Sequence, residues 1–204
     1  EEFPDQQEVQ ERLHQLYESQ SMAAELADVL RHQVDTAADN DVKIGHLTKL
    51  ARVSEGQLED ANASFEAYLE ILDLERHSPL AIAELRRLFE AGVNRLEIGD
   101  RLEPIYREQQ AWGELDTLMQ LKLEALEDPV DRMQLMRDLA LLALDQKSQP
   151  DEALTCYGRS FQLDPDDEGL LSQLRGLAED TGRRDELKRI LLDAADACQD
   201  SERR

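Results

Sequence analysis

The residues of this 204-residue chain most able to do chemistry are four histidines, two cysteines and 46 carboxylates. A structural metal site needs His, Cys or carboxylate ligands at turn or helix spacing. No two of His14, His32, His46 and His77 lie three or four residues apart, and neither Cys156 nor Cys198 neighbours one of them. The sequence therefore predicts no metal site and no cofactor. Glycine-rich phosphate loops, GxSxG elbows and HExxH pairs are also missing. The expectation is that the chain is not an enzyme.

The carboxylates are placed unevenly. Seven acids and no Lys or Arg occur from Glu55 to Glu75. At helical spacing Asp60, Glu66, Glu70 and Asp73 share one side. Exposed carboxylates keep ordinary pKa values and catalyse little, so this side reads first as a solvated face. It reads next as a surface that steers a basic partner, and last as a catalytic pair. Bases gather just upstream at Lys43, His46, Lys49 and Arg52, a strip that could meet a carboxylate-bearing peptide or be plain helix surface. Trp112, the single tryptophan, either packs on the preceding helix or anchors an interface. Asp164, Asp166, Glu168 and Gly169 open like a calcium loop, but its twelfth position, which must be a bidentate carboxylate, is Arg175. A helix exit followed by acids at the next N-terminus explains them better.

Charge narrows the partners. The net formal charge of −23 opposes binding to nucleic-acid phosphates and to anionic membranes. It permits a basic protein partner, or serves solubility alone. No apolar run approaches a membrane span and no signal peptide is evident, so a cytoplasmic chain with reduced thiols is expected. The first residue is Glu1 rather than Met, which points to a piece of something longer.

These side chains must be positioned by helices. Apolar residues recur at helical spacing in successive segments: Val9, Leu13, Leu16 and Tyr17; then Leu26, Leu30 and Val34; then Leu47, Leu50 and Ala51; then Phe65, Tyr68 and Leu72; then Leu85, Leu88 and Phe89. Short connections join them, and no alternation of period two indicates a strand. Asn40 or Asp41 suits a helix cap, Pro79 a first turn, and Gly92 a left-handed exit. Pro104 leaves two options, a pair of short helices or one helix with a kink.

The segment from Leu13 repeats from Leu102, a lag of 89 residues. Without a gap that lag pairs Tyr17 with Tyr106, Leu26 with Leu115, Leu50 with Leu139, Tyr68 with Tyr157 and Arg86 with Arg175. Matches of this kind across five helical segments predict an internal duplication. The blocks span about 13–101 and 102–190, with 191–204 as the end of the last helix and a tail.

Ala153, Tyr157, Ser160 and Pro165 stand at the spacing of the second helix of a tetratricopeptide repeat and its exit. Small residues let neighbouring helices approach, the aromatic fills the gap, and proline stops the helix. Leu171, Leu174, Ala178, Gly182 and Leu187 continue the likeness. In the first block Ser64 replaces the small Ala and Arg76 the proline. The chain resembles the divergent, acidic, tetratricopeptide-like arrays of large bacterial proteins. That resemblance implies an all-α right-handed α–α superhelix, or solenoid, of about eleven helices in a single array. It also implies a protein-interaction scaffold binding a partner peptide or helix. Competing readings are a ligand- or peptide-sensing regulatory domain and an acidic chaperone or decoy for a basic protein. The candidate partner-binding residues are Lys43, His46, Lys49, Arg52, Glu66, Glu70, Asp73 and Trp112.

Overall fold

The structure, a computed structural model, describes residues 22–202, with side chains through residue 196. Among the described residues ten α-helices follow one another and no strand occurs. They are α1 (Ala23–Thr36), α2 (Asn40–Gly56), α3 (Ala61–Leu74), α4 (Pro79–Glu90) and α5 (Arg95–Glu108), then α6 (Trp112–Ala125), α7 (Pro129–Asp145), α8 (Pro150–Leu163), α9 (Glu168–Asp180) and α10 (Arg184–Glu202). The fold is all-α, as the periodicity predicts. The expected first segment, with Val9, Leu13, Leu16 and Tyr17, lies outside the described residues.

Local chemistry sets the boundaries. Pro79, Pro129 and Pro150 each open a helix, where a missing N–H costs nothing. Gly92 follows α4 at φ 91°, a left-handed conformation that glycine adopts without Cβ strain. The cap of α2 is Asp39 rather than Asn40 or Asp41. Its carboxylate accepts from the backbone N–H groups of Asp41 and Val42, and its extended backbone precedes the first helical residue, as a cap must. Pro104 lies inside one helix, α5.

The 89-residue lag is written into the backbone. Moving α1, α2 and α3 forward by 89 residues gives α6, α7 and α8 at both ends, and α9 and α10 begin 89 residues after α4 and α5. Asp128 repeats the cap of Asp39, accepting from the N–H groups of Val130 and Asp131. Glu59, after α2, and Ser148, after α7, both have φ 54°. The turns they occupy close alike: Asp60 N–H donates to the Ser54 carbonyl and Gln149 N–H to the Ala143 carbonyl, each at 2.8 Å.

The chain divides into two compact units between Ile98 and Gly99, within α5. In the first, α1 packs on α2, α2 on α3 and α3 on α4. Leu30, Leu47, Phe65, Ile71 and Leu85 are buried there. In the second, α6 packs on α7, α7 on α8, and α8, α9 and α10 on one another. Leu154, Tyr157, Phe161, Leu174 and Ile190 form its core. Ala153, Tyr157 and Ser160, the small–aromatic–small series, are all buried along α8. Gly158 stands beside them. A Cβ there would lie 2.8 Å from Ile190 Cδ1, so the missing side chain is what lets α10 approach α8.

Candidate functional site

A cavity of about 460 Å³ opens among α6, α7 and α8 of the second unit. Leu123, Leu139, Ala143 and Cys156 give it apolar walls, while Asp116, Glu124, Asp151 and Glu152, with Arg132 and Arg159, give it a charged rim. Its size and mixture of apolar lining with a few polar groups are those of ligand sites.

Several rim charges are already engaged. Arg132 Nη1 donates to the carbonyls of Leu123 (2.8 Å) and Leu126 (2.9 Å), placing a cation on the orphan carbonyls that end α6. Lys147, in the turn after α7, reaches Asp116 on α6 at 3.2 Å and Glu152 on α8 at 2.7 Å. Partial burial pulls its ammonium down, but hydrogen bonds to Glu152 and Asp116 outweigh that and leave it above the ordinary lysine value. Asp151 pairs with Arg183, from the turn before α10. Burial pushes the Cys156 thiol up, with Asp116 and Glu152 adding to the effect and Arg159 opposing it.

The two units differ in charge at this place. Where the second unit has Gln120 and Arg159, the positions 89 residues earlier hold Arg31 and Glu70, which bridge α1 and α3 at 2.6 Å. Where the second has Asp151 and Arg183, the first has Asn62 and Asn94, a neutral amide pair at 3.2 Å. Lys147, Asp116 and Glu152 correspond to Leu58, Ala27 and Ala63. One backbone plan thus carries a charge-bridged helix pair in one unit and an open cavity with a charged mouth in the other.

The residues singled out in the sequence do not converge on one site. Lys43 and His46 are half-buried on α2, and Lys49 and Arg52 exposed. On α3 Glu66 and Asp73 are exposed, while Glu70 is engaged with Arg31. Trp112 opens α6, half-buried, and lines a second hollow of about 270 Å³ with Leu115, Met119 and Leu141. Lys43, Glu66 and Glu70 do have cavity residues as counterparts, namely Arg132, Thr155 and Arg159. The cavity residues themselves were missed. Reading the two copies against each other for charge changes, at 31 and 120 and at 70 and 159, would have found them.

Among the described residues no group of three His, Cys, Asp or Glu side chains is placed to hold a metal. In the calcium-like stretch, Asp167 caps α9, accepting from the Leu170 N–H at 2.8 Å and from Arg137 at 2.7 Å. No helix among the described residues is long and apolar enough to cross a membrane.

Within each unit helices pack on their neighbours, and caps and turns recur at a lag of 89 residues, which defines an all-α helical-repeat protein. Among solved structures, the chain aligns with a crystal structure of MamA protein at 16% identity and TM-score 0.43, covering 88% of this chain and 96% of that one. A second crystal structure of MamA aligns at 15% identity and TM-score 0.34, covering 94% and 97%. The repeat assignment rests on packing and recurrence, not on these overlays. No family model matches the chain, and no curated protein matches it in sequence.

Proposed function

We propose that the chain is a protein-interaction module and that a segment of a partner protein occupies the cavity of the second unit. The observation that carries this reading is the cavity itself, open where the first unit is bridged by Arg31 and Glu70. A repeat scaffold holds such a space ready, so a peptide or helix can enter without large rearrangement. Its lining favours binding over catalysis: the thiol is held neutral, and Asp116, Asp151 and Glu152 are matched by Lys147 and Arg183. A cytoplasmic setting belongs to the same reading and is supported by Cys156 being free.

Photo-cross-linking tests it. The whole chain carries a cross-linker at position 155 or, as a control, at position 66, and is incubated with extract of the source cells. A second preparation carries Gln120→Arg with Arg159→Glu, which installs the bridge of the first unit. Cross-links to a reproducible protein from position 155, lost in the bridged variant, support the reading. Equal yields from both positions, or yields indifferent to the bridge, refute it.

A further inference from the structure

The mouth of the cavity carries more charge than an apolar pocket requires. Lys147 stands between Asp116 and Glu152 at 3.2 and 2.7 Å, and both acids line the cavity. The counterparts of all three in the first unit are uncharged: Leu58, Ala27 and Ala63. The turn that holds Lys147 has the same backbone in both units, φ 54° at Ser148 and at Glu59. The backbone plan therefore does not require this lysine or its two acids. Glu152 is 47% exposed, so a second cation from solvent can reach it. Lys147 and Asp116 are more enclosed, at 18% and 16% exposed, so exchange begins at Glu152, where solvent weakens the pair.

Other charges fix the polarity. Asp151 is held by Arg183, and the Arg132 guanidinium is taken up by backbone carbonyls. Arg159 stands seven residues beyond Glu152 on α8, about 10 Å along the helix. The cavity thus has an acidic end at Asp116 and Glu152, while toward its other end Arg159 and Glu124 carry opposite charges. The net charge of −23 raises the local concentration of cationic segments around the whole chain.

We propose that the cavity receives a basic peptide segment of a partner protein, with an apolar side chain against Leu123, Leu139 and Ala143 and a Lys or Arg taking the place of Lys147 on Asp116 and Glu152. This rests on the interaction reading above and gives the partner its chemistry. Lys147 is then an internal stand-in for the partner's cation. It keeps the two acids neutralised while the site is empty, and its displacement makes the site selective for a cation of similar reach.

A random dodecapeptide library displayed on phage, selected on the whole chain, tests the proposal. Enriched peptides should carry Lys or Arg beside an apolar residue, and their binding should slow alkylation of Cys156, read at that residue by mass spectrometry. Lys147→Leu restores the residue of the first unit and removes the competitor, so it should tighten those peptides about fivefold. Asp116→Asn with Glu152→Gln should weaken them about tenfold. Acidic or uncharged winners that protect Cys156 and are lost in the bridged variant overturn this proposal and leave the interaction reading standing. Affinities unmoved by both variants also overturn it. Failure of any peptide to protect Cys156 counts against the cavity in both proposals.

Discussion

Arg31 Nη1 and Glu70 Oε2 lie 2.6 Å apart and tie α1 to α3, and the residues 89 positions later, Gln120 and Arg159, have no opposite charges to repeat the contact. Both side chains of the bridge are 40% exposed, so solvent screens it and its net contribution falls at the low end of the surface range, about 0.2–0.5 kcal/mol. The energetic difference between the units is therefore small. Gln120→Arg with Arg159→Glu should shift the urea midpoint only slightly, yet slow alkylation of Cys156 several-fold by spanning the cavity. An unchanged alkylation rate would show that the bridge does not form in the second unit.

Gly158 offers a test of core packing. Its missing Cβ accommodates Ile190, whose Cδ1, Cγ1 and Cγ2 would lie 2.8, 3.0 and 3.2 Å from an added methyl group. Alanine favours a helix interior by itself, by about 1 kcal/mol over glycine. The overlap works against that gain, and overpacking in a dense core costs about 1–3 kcal/mol. Gly158→Ala should therefore be neutral to destabilising by up to about 2 kcal/mol. Ile190→Val removes Cδ1 and should recover part of the loss, which a double-mutant cycle on urea unfolding measures. A clear stabilisation by Gly158→Ala alone would mean that α10 is free to move away from α8.

Much of this architecture is legible in the sequence because its signals are local. Pro79, Pro129 and Pro150 mark helix starts by lacking an N–H, and Gly92 marks an exit by tolerating φ 91°. The repeat is legible because Tyr68 and Tyr157 fill equivalent buried positions. The cavity is not legible that way. It is made by side chains on three helices, and each is unremarkable within its own helix. Glu70 shows the difficulty: on α3 it is one acid among several, and only the distant Arg31 turns it from a partner-facing charge into a bridge. Asp39 was missed as a cap for a smaller reason, since Asp39, Asn40 and Asp41 all carry suitable side chains and only the backbone decides among them.

Cys156 reports on its surroundings through pH. Burial, followed by the nearby acids Asp116 and Glu152, raises its thiol above the ordinary value of 9.0, against a lowering influence of Arg159. Alkylation proceeds through the thiolate, so at pH 9 the rate should still be below half of its maximum, the level a thiol at the ordinary value reaches there. Arg159→Glu removes the lowering charge and should push the profile further up. A midpoint at or below 9.0 in the unliganded protein would contradict the burial of this residue against the cavity wall.

Asp167 predicts how the second unit responds to acid. Its carboxylate accepts from the Leu170 N–H and from Arg137, and these hold it below the usual value of 3.8 although partial burial opposes them. The folded state therefore binds this proton less readily than the unfolded state does. The contribution is fully present above the unfolded value and is lost as pH falls through the lower folded value. Asp167→Asn keeps an effective cap, since Asn serves that position about as well as Asp, but it removes the charge facing Arg137. The wild type should be the more stable of the two near neutral pH, by about 1 kcal/mol or less because the pair is partly solvated. That advantage should shrink steadily below about pH 4, as urea midpoints across the acid range would show. An advantage that stays constant down to pH 2.5 would mean that Asp167 acts only as a neutral hydrogen-bond acceptor and that its pairing with Arg137 contributes nothing to folding.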